Sequence, residues 1–281
     1  MSTYEVNDDI FPYQCAVFIK ARWGNDWYGG SGAIIGNNDI LTASHVIYDK
    51  DLGGLANEVR IYPTYDPDSS VSWSGYYEPE WYEYYEDWDA DSDGLITSGD
   101  GKSGSLYELE KDIALLSLTE DIGSIYGYFG VKKTFSGGTA YKLGFPGKYS
   151  NNLMFDEGLI YKDNIDNYFW FYNENIEINP GDSGGPIYIN AGGDLGYQII
   201  GVTSSSGSLT STAVSINGHY WWISESIESN NYLFDNSFAT LDSVSNIDEG
   251  ENISFTFKTH KSEEDKQYTY RISGISSSDL A

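Results

Sequence analysis

Residues 179–186 of this 281-residue chain read Asn-Pro-Gly-Asp-Ser-Gly-Gly-Pro. Gly, Pro, Asn, Asp and Ser are the ordinary residues of tight turns. Ser183 also lies in a G-x-S-x-G pattern, Gly181 to Gly185, that is short enough to arise by chance. A serine hydroxyl is a weak nucleophile unless a base stands within hydrogen-bond reach and a third group orients that base. Whether this turn can attack a carbonyl therefore depends on a histidine and an acid elsewhere in the chain.

The chain has three histidines, His45, His219 and His260. His45 ends the apolar run of LTASHVI, where a lone histidine is more often structural than reactive. The small residues Thr42, Ala43 and Ser44 before it nevertheless let an imidazole turn into a cleft. Among many acids, Asp112 is distinctive, because it opens the nearly uncharged strand of KDIALLSL. That strand carries its carboxylate toward the core, where a hydrogen-bond donor is required. An imidazole N–H is such a donor.

These residues must be held by a β framework. QCAVFIKARW, YGGSGAII, DILTASHVI, EVRIYPTY and DIALLSL read as early strands. TAYKLGFP, LMFDEGLIY, NYFWFYN, GGPIYIN, LGYQIIGVTSS and TAVSI form a second series. β-branched and aromatic residues punctuated by Gly, Asn and Asp at regular spacing point to barrels or a sandwich. One helix is expected from about residue 219, HYWWISESIESN, closing on the β body. Composition is that of a folded protein, 40% hydrophobic and 16% aromatic. With 43 acidic against 15 basic residues the charge is −28, which disfavours nucleic acid and anionic membranes. Cys15 is the one cysteine, so no intrachain disulfide forms. The acidic start MSTYEVNDDI is no secretory signal, and no apolar run approaches the ~20 residues that span a bilayer.

The ordered set TASHV, KDIALL and GDSGGP resembles the trypsin/chymotrypsin-like serine proteases, in their chain order His, Asp, Ser. The resemblance extends over roughly residues 14–228 and implies an all-β fold. That fold is a double six-stranded antiparallel β-barrel with a C-terminal helix, in a protease domain at 1–232. It implies that Ser183 is the nucleophile, His45 the general base and Asp112 the group that orients the imidazole. It also implies an oxyanion hole from the N–H groups of Gly181 and Ser183. The primary substrate pocket would be formed by Glu177, Ile178, Thr203, Ser204, Ser206 and Ala213. Glu177 on its floor would favour Lys or Arg; Ile178 would instead favour small aliphatic residues. Thr203 replaces the histidine of glutamate-specific relatives, so cleavage after Glu is not expected. There is no Ile-Val-Gly-Gly activation sequence, so Asp182, whose family counterpart pairs with the freed amino terminus, needs another partner. INPGDSGGP is similar to the bacterial Deg-type proteases, which lack that cleavage. Two alternatives remain open. An α/β-hydrolase-type esterase would recruit Ser183, Asp194 and His219, although its crossover helices find almost no counterpart. A protease-like binding or adhesion module would keep the body without the activity.

Two segments depart from the strand pattern. Residues 66–105 form an acidic, aromatic insertion, with PEWYEYYEDW readable as a helix starting at Pro79. Within it, residues 89–100 match an EF-hand-like calcium loop. The expected ligands are Asp89, Asp91, Asp93, the Leu95 carbonyl and Asp100, with Thr97 holding a water, and the Ca2+ would be structural. Residues 236–281 show fresh alternation in ENISFTFKT and QYTYRISGI. They resemble part of a Calx-beta or cadherin-like β-sandwich module. The expected partners are protein or peptide substrates, and the expected location is extracellular or at the cell surface.

Overall fold

The structure is a computed structural model that describes residues 3–6, 10–67, 75–85, 110–162, 168–172, 176–206, 210–234, 240–242 and 256–258. The chain divides into two compact units, Met1–Phe234 and Asp235–Ala281.

The first six barrel strands are β1 (Ala16–Trp23), β2 (Asp26–Ile34), β3 (Asp39–Thr42), β4 (Glu58–Pro63), β5 (Trp81–Tyr84) and β6 (Ala114–Ser117). They pair in the order β4-β1-β2-β3-β6-β5. Trp23 and Asp26 are paired across a two-residue turn. Gly24 takes φ +58° there, as hairpin turns of this length favour. Backbone bonds between Ile61 of β4 and Tyr77, just ahead of β5, bring the two ends of the sheet together.

The next six are β7 (Gly137–Gly144), β8 (Met154–Lys162), β9 (Tyr168–Tyr172), β10 (Pro186–Asn190), β11 (Tyr197–Ser206) and β12 (Thr210–Ser215). They run β8-β7-β10-β11-β12-β9, and β9 pairs back onto β8, closing the second barrel. Its interior takes Ala140, Ile160, Ile187, Ile200 and Ala213, one residue from each of five strands. Their neighbours Tyr188, Ile199 and Val214 belong to the larger core instead. That split is the two-residue alternation of a strand, and it lets one sheet serve two cores. The fold is all-β and trypsin-like.

Three local expectations are corrected. Residues 81–84 are a strand, not a helix: Trp81, Tyr82, Glu83 and Tyr84 pair with Ser117, Leu116, Leu115 and Ala114. Aromatic residues suit a half-buried pleated surface, and pairing outweighs the helix start at Pro79. The strand expected through His45 stops at Thr42, and Ser44–Ile47 form a single helical turn, α1. The closing helix, α2, spans Ile216–Phe234 and so begins before His219. It reaches the first barrel, where Asn230 Nδ2 donates to Ser117 Oγ at 2.6 Å.

The calcium loop at 89–100 lies outside the described residues. Of the C-terminal unit, Thr240–Asp242 and Thr256–Lys258 form an antiparallel pair, and QYTYRISGI lies outside the described residues. No helix among the described residues is long and apolar enough to cross a membrane.

Candidate active site

α1 delivers His45. The hydroxyl of Thr42, the last residue of β3, donates to the Ser31 carbonyl at 2.7 Å, and the helical turn follows behind Ala43. Ala43 has no side-chain oxygen to cap the first amides, which are left without helical partners. Asp112, at the entry to the neighbouring strand β6, supplies the cap, its Oδ1 accepting the His45 amide at 2.9 Å. Ser44 Oγ donates to the Ile113 carbonyl at 2.9 Å, tying α1 to the segment that enters β6.

The other oxygen of the same carboxylate serves the ring. His45 Nδ1 lies 2.8 Å from Asp112 Oδ2, which also accepts the Ser204 hydroxyl at 2.6 Å. Burial alone would raise the Asp112 pKa. The imidazole beside it and the bonds from Ser204 and the His45 amide overcome that, holding the carboxyl below its ordinary value. Asp112 is fully buried while the His45 side chain is 23% exposed. With Nδ1 directed at a carboxylate, the ring carries its proton there, and Nε2 is left with a lone pair.

The Ser183 turn is held by its own backbone. The Asp182 amide donates to the Asn179 carbonyl, and the Gly185 amide to the Asp182 carbonyl, each at 2.9 Å. Gly181 has φ +103°, and a Cβ there would lie 2.7 Å from the Phe145 carbonyl. Gly184 has φ +83°, and a Cβ there would lie 2.2 Å from the Ser31 carbonyl. Only glycine fits either position. Ser31 pins the turn to the first barrel: its amide donates to the Ser183 carbonyl at 2.7 Å, and its hydroxyl to the Gly181 carbonyl at 2.6 Å. Ser183 Oγ donates to the Ser204 carbonyl over a long 3.5 Å. Ser204 thus touches both the serine and the carboxylate. Among the described residues, the Gly181 and Ser183 amides donate to no protein acceptor. A hydroxyl, an imidazole on a buried carboxylate, and two unused amide donors are the equipment of acyl transfer.

The other pocket candidates differ in what they touch. Glu177 is paired with Lys148 and accepts hydroxyls from Tyr149 at 2.9 Å and Thr3 at 3.1 Å. The Lys148 ammonium, helped by Tyr149, holds the Glu177 carboxyl down at about 2. Ile178 packs against the interior of the second barrel, where Ala213 is buried. Thr203 exchanges backbone bonds with Gly184 and Gly185 and pairs with Ala213. Its buried hydroxyl has no hydrogen-bond partner among the described residues. Ser206, at the end of β11, pairs with Ser211.

His219 is placed otherwise. It is buried beside Tyr85 and Trp222, with Nδ1 2.9 Å from the Tyr85 hydroxyl. Burial pushes its pKa down to about 4. Asp194 lies in a short turn, Gly193–Leu195, after β10. Paired antiparallel strands replace the crossover helices an α/β-hydrolase needs, so the esterase alternative is set aside on the fold.

Three functional contacts escape sequence reasoning: the Ser204 hydroxyl on Asp112, the Ser31 bridge, and the partner of Asp182. That partner is Lys142 of β7, with Nζ 2.8 Å from Asp182 Oδ2. A lysine inside the apolar run TAYKLGF was the available signal for it.

The trypsin family model matches residues 1–220. The chain belongs to the trypsin family. Glutamyl endopeptidase of Bacillus licheniformis is 29% identical over 152 residues, 52% of this chain and 40% of that protein. The chain thus spans less than half the length of that relative. A solved Glu endopeptidase in complex with MPD matches with a TM-score of 0.58 at 18% identity, over 80% of this chain and 96% of that one. The protease Anisep from Arthrobacter nicotinovorans matches with a TM-score of 0.57 at 16% identity, over 76% and 93%. At these identities the two structures share the trypsin-like fold with this chain.

Proposed function

We propose that this trypsin-family chain is a serine endopeptidase working through His45, Asp112 and Ser183 with an acyl-enzyme intermediate. The observation that carries the reading is the Asp112 carboxylate, buried and shared between the His45 amide, the His45 ring and Ser204. A surface residue needs no such arrangement, whereas a base that must present Nε2 to a hydroxyl does. In the reaction Ser183 Oγ bonds to the scissile carbonyl carbon while its proton passes to His45 Nε2. The carbonyl oxygen becomes an oxyanion between the Gly181 and Ser183 amides. The C–N bond then breaks, the amine leaves with the proton from His45, and water repeats the sequence on the ester.

For the residue before the scissile bond we propose a neutral side chain. The Glu177 carboxylate is occupied by Lys148, Tyr149 and Thr3, which weakens the case for Lys or Arg. Lys142 and Lys148 are both paired with carboxylates, and the unpartnered hydroxyl of Thr203 is uncharged. Cleavage after Glu, which the names of two relatives suggest, would therefore lack a dedicated cation. The acidic surface and insertion support a location outside the cell or at its surface. Ser183→Ala and His45→Ala should abolish peptide hydrolysis in folded protein, with about 10^4-fold or greater loss. Retained hydrolysis in His45→Ala, with loss in His219→Ala, overturns the triad. Peptide-library profiling tests the pocket, and a dominant preference for Glu overturns that part.

A further inference from the structure

The two-residue alternation of β1 puts Lys20 and Arg22 on one face of the first sheet. Lys20 lies opposite Gly29 of β2 and Arg60 of β4, and Arg22 lies opposite Trp27 and Glu58. Toward the other end of the same face, Phe18 is opposite Ser31. That end seats the Ser183 turn, because the Ser31 hydroxyl donates to the Gly181 carbonyl at 2.6 Å. From Ser31 the face runs outward along β2, reaching Gly29 after ~7 Å and Trp27 after ~13 Å at ~3.3 Å per residue.

The fold has no need of cations here. Like charges directly opposite in a sheet repel, yet Lys20 faces Arg60. Arg22 and Arg60 share one carboxylate, Glu58, with Arg22 Nη2 2.8 Å from Glu58 Oε2. Among the described residues Lys20 has no carboxylate partner. Aromatic rings hold the charged heads instead. The Arg60 guanidinium carbon lies 4.6 Å from the centre of the Trp27 ring and 4.2 Å from that of Tyr76. Lys20 Nζ lies 5.7 Å from the Phe18 and Tyr62 rings and 6.0 Å from Tyr65. A cation placed on a ring keeps its charge for a further partner. Three cations ordered in this way stand out on a chain of net charge −28.

We propose that this face is a docking surface for an acidic segment of a polypeptide substrate, whose Asp or Glu carboxylates reach Lys20 and Arg60. Carboxylates form charge-assisted hydrogen bonds with both head groups. An extended polypeptide leaving Ser183 along β2 advances at the same ~3.3 Å per residue, which sets its acids over the cations. Trp27 and Tyr76 are engaged by Arg22 and Arg60, so charge, rather than a ring face for a sugar, is what the surface offers. The acidic remainder of the chain repels the same segment and confines it to this face. The assignment to a substrate rests on the serine-endopeptidase reading above; the binding itself does not.

The test measures binding of a short labelled Glu-rich peptide, with its Gln counterpart as control, to inactive Ser183→Ala protein. The Glu peptide should bind and the Gln peptide should not, and affinity should fall about tenfold between ~50 mM and ~500 mM salt. In Lys20→Gln/Arg60→Gln, where Glu58 keeps Arg22, affinity should fall about fivefold, as two partly exposed pairs allow. In active protein, a run of glutamates at one end or the other of an internally quenched substrate should lower KM about fivefold at unchanged kcat. The double variant should lose that advantage and cut the plain substrate as wild type does. Equal binding of the two peptides overturns the proposal, as does equal binding of the Glu peptide by the double variant. Binding of a uronate polysaccharide without binding of the Glu peptide overturns the polypeptide assignment. Binding of neither, with a lowered Tm in the double variant, assigns the cations to the chain's own fold and is also contrary. Should the double variant not fold, Lys20→Gln decides alone: a loss of about twofold in affinity supports the proposal, and unchanged affinity is contrary. If the Glu peptide binds through Lys20 and Arg60 but no peptide is hydrolysed, the endopeptidase reading falls and the docking surface stands. If hydrolysis is normal and glutamates at neither end lower KM, only the docking surface falls.

Discussion

Asp112→Asn isolates what the carboxylate does, because the two side chains have nearly the same shape. Asp112 accepts the His45 amide on Oδ1 at 2.9 Å. Oδ2 accepts the His45 ring at 2.8 Å and the Ser204 hydroxyl at 2.6 Å. The backbone amide can only donate, so the carboxamide oxygen must take the place of Oδ1 and the NH2 that of Oδ2. A donor then faces Nδ1. The Ser204 hydroxyl can rotate to accept, and the imidazole answers by accepting at Nδ1 and carrying its proton on Nε2. The core keeps its shape, yet Nε2 can no longer take the Ser183 proton. A base held in the wrong tautomer costs about 10^4 in kcat, or about 5 kcal/mol of barrier. The assay is kcat on an internally quenched peptide near neutral pH, with circular dichroism to establish folding. A folded variant within about tenfold of wild type would refute the reasoning.

Three further outcomes follow from other residues. Asp39 is buried in β3, with Oδ1 accepting the Ser117 hydroxyl at 2.6 Å and Oδ2 without a partner among the described residues. Desolvation raises its pKa from 3.8 to about 6. Between those values the folded protein holds a proton the unfolded chain has released, so stability falls as pH rises through the window. Asp39→Asn should therefore gain about 3 kcal/mol on wild type in urea unfolding between pH ~4 and pH ~7, and a constant difference refutes this. Glu177 shows the opposite sign, held from 4.5 down to about 2 by Lys148. Its contribution should fade as pH falls below 4.5, and Glu177→Gln should leave the order of preferred substrates unchanged; a reordered peptide-library profile would restore it to the pocket floor. For the insertion we propose one calcium ion on Asp89, Asp91, Asp93, the Leu95 carbonyl and Asp100. Calcium a hundredfold above Kd should stabilise inactive Ser183→Ala protein by about 2.7 kcal/mol. A Tm indifferent to calcium and chelator would leave only a solvated acidic loop.

The candidate catalytic residues are legible because each sits in a local sequence that its geometry demands. Gly181 and Gly184 must be glycine where the turn meets the Phe145 and Ser31 carbonyls, and Asp112 announces itself as a charge entering an apolar strand. Their supports were not legible, because they are set by contacts across the fold. Ser204 reads as one of three consecutive serines, and only the approach of β11 to the segment before β6 puts its hydroxyl on Asp112. Lys142 and Asp182 are forty residues apart and meet only when β7 lies against the turn. The proline and acids beside Trp81–Tyr84 suit a helix start, while its pairing with β6 is a tertiary fact that local sequence does not carry. The places of most strands followed readily from Gly, Asn and aromatic spacing, but their pairing order and element ends such as Thr42 did not.

The most direct measurement is labelling of the intact protein with a fluorophosphonate, followed by mass-spectrometric mapping of the modified residue. Ser183 is phosphonylated readily, with loss of fluoride, only if His45 removes its proton and the Gly181 and Ser183 amides receive the developing charge. Stoichiometric modification at Ser183, lost in His45→Ala and accompanied by loss of peptide hydrolysis, is the predicted result. No modification of folded protein, or modification at another residue while hydrolysis persists, would contradict it and favour a protease-like binding module.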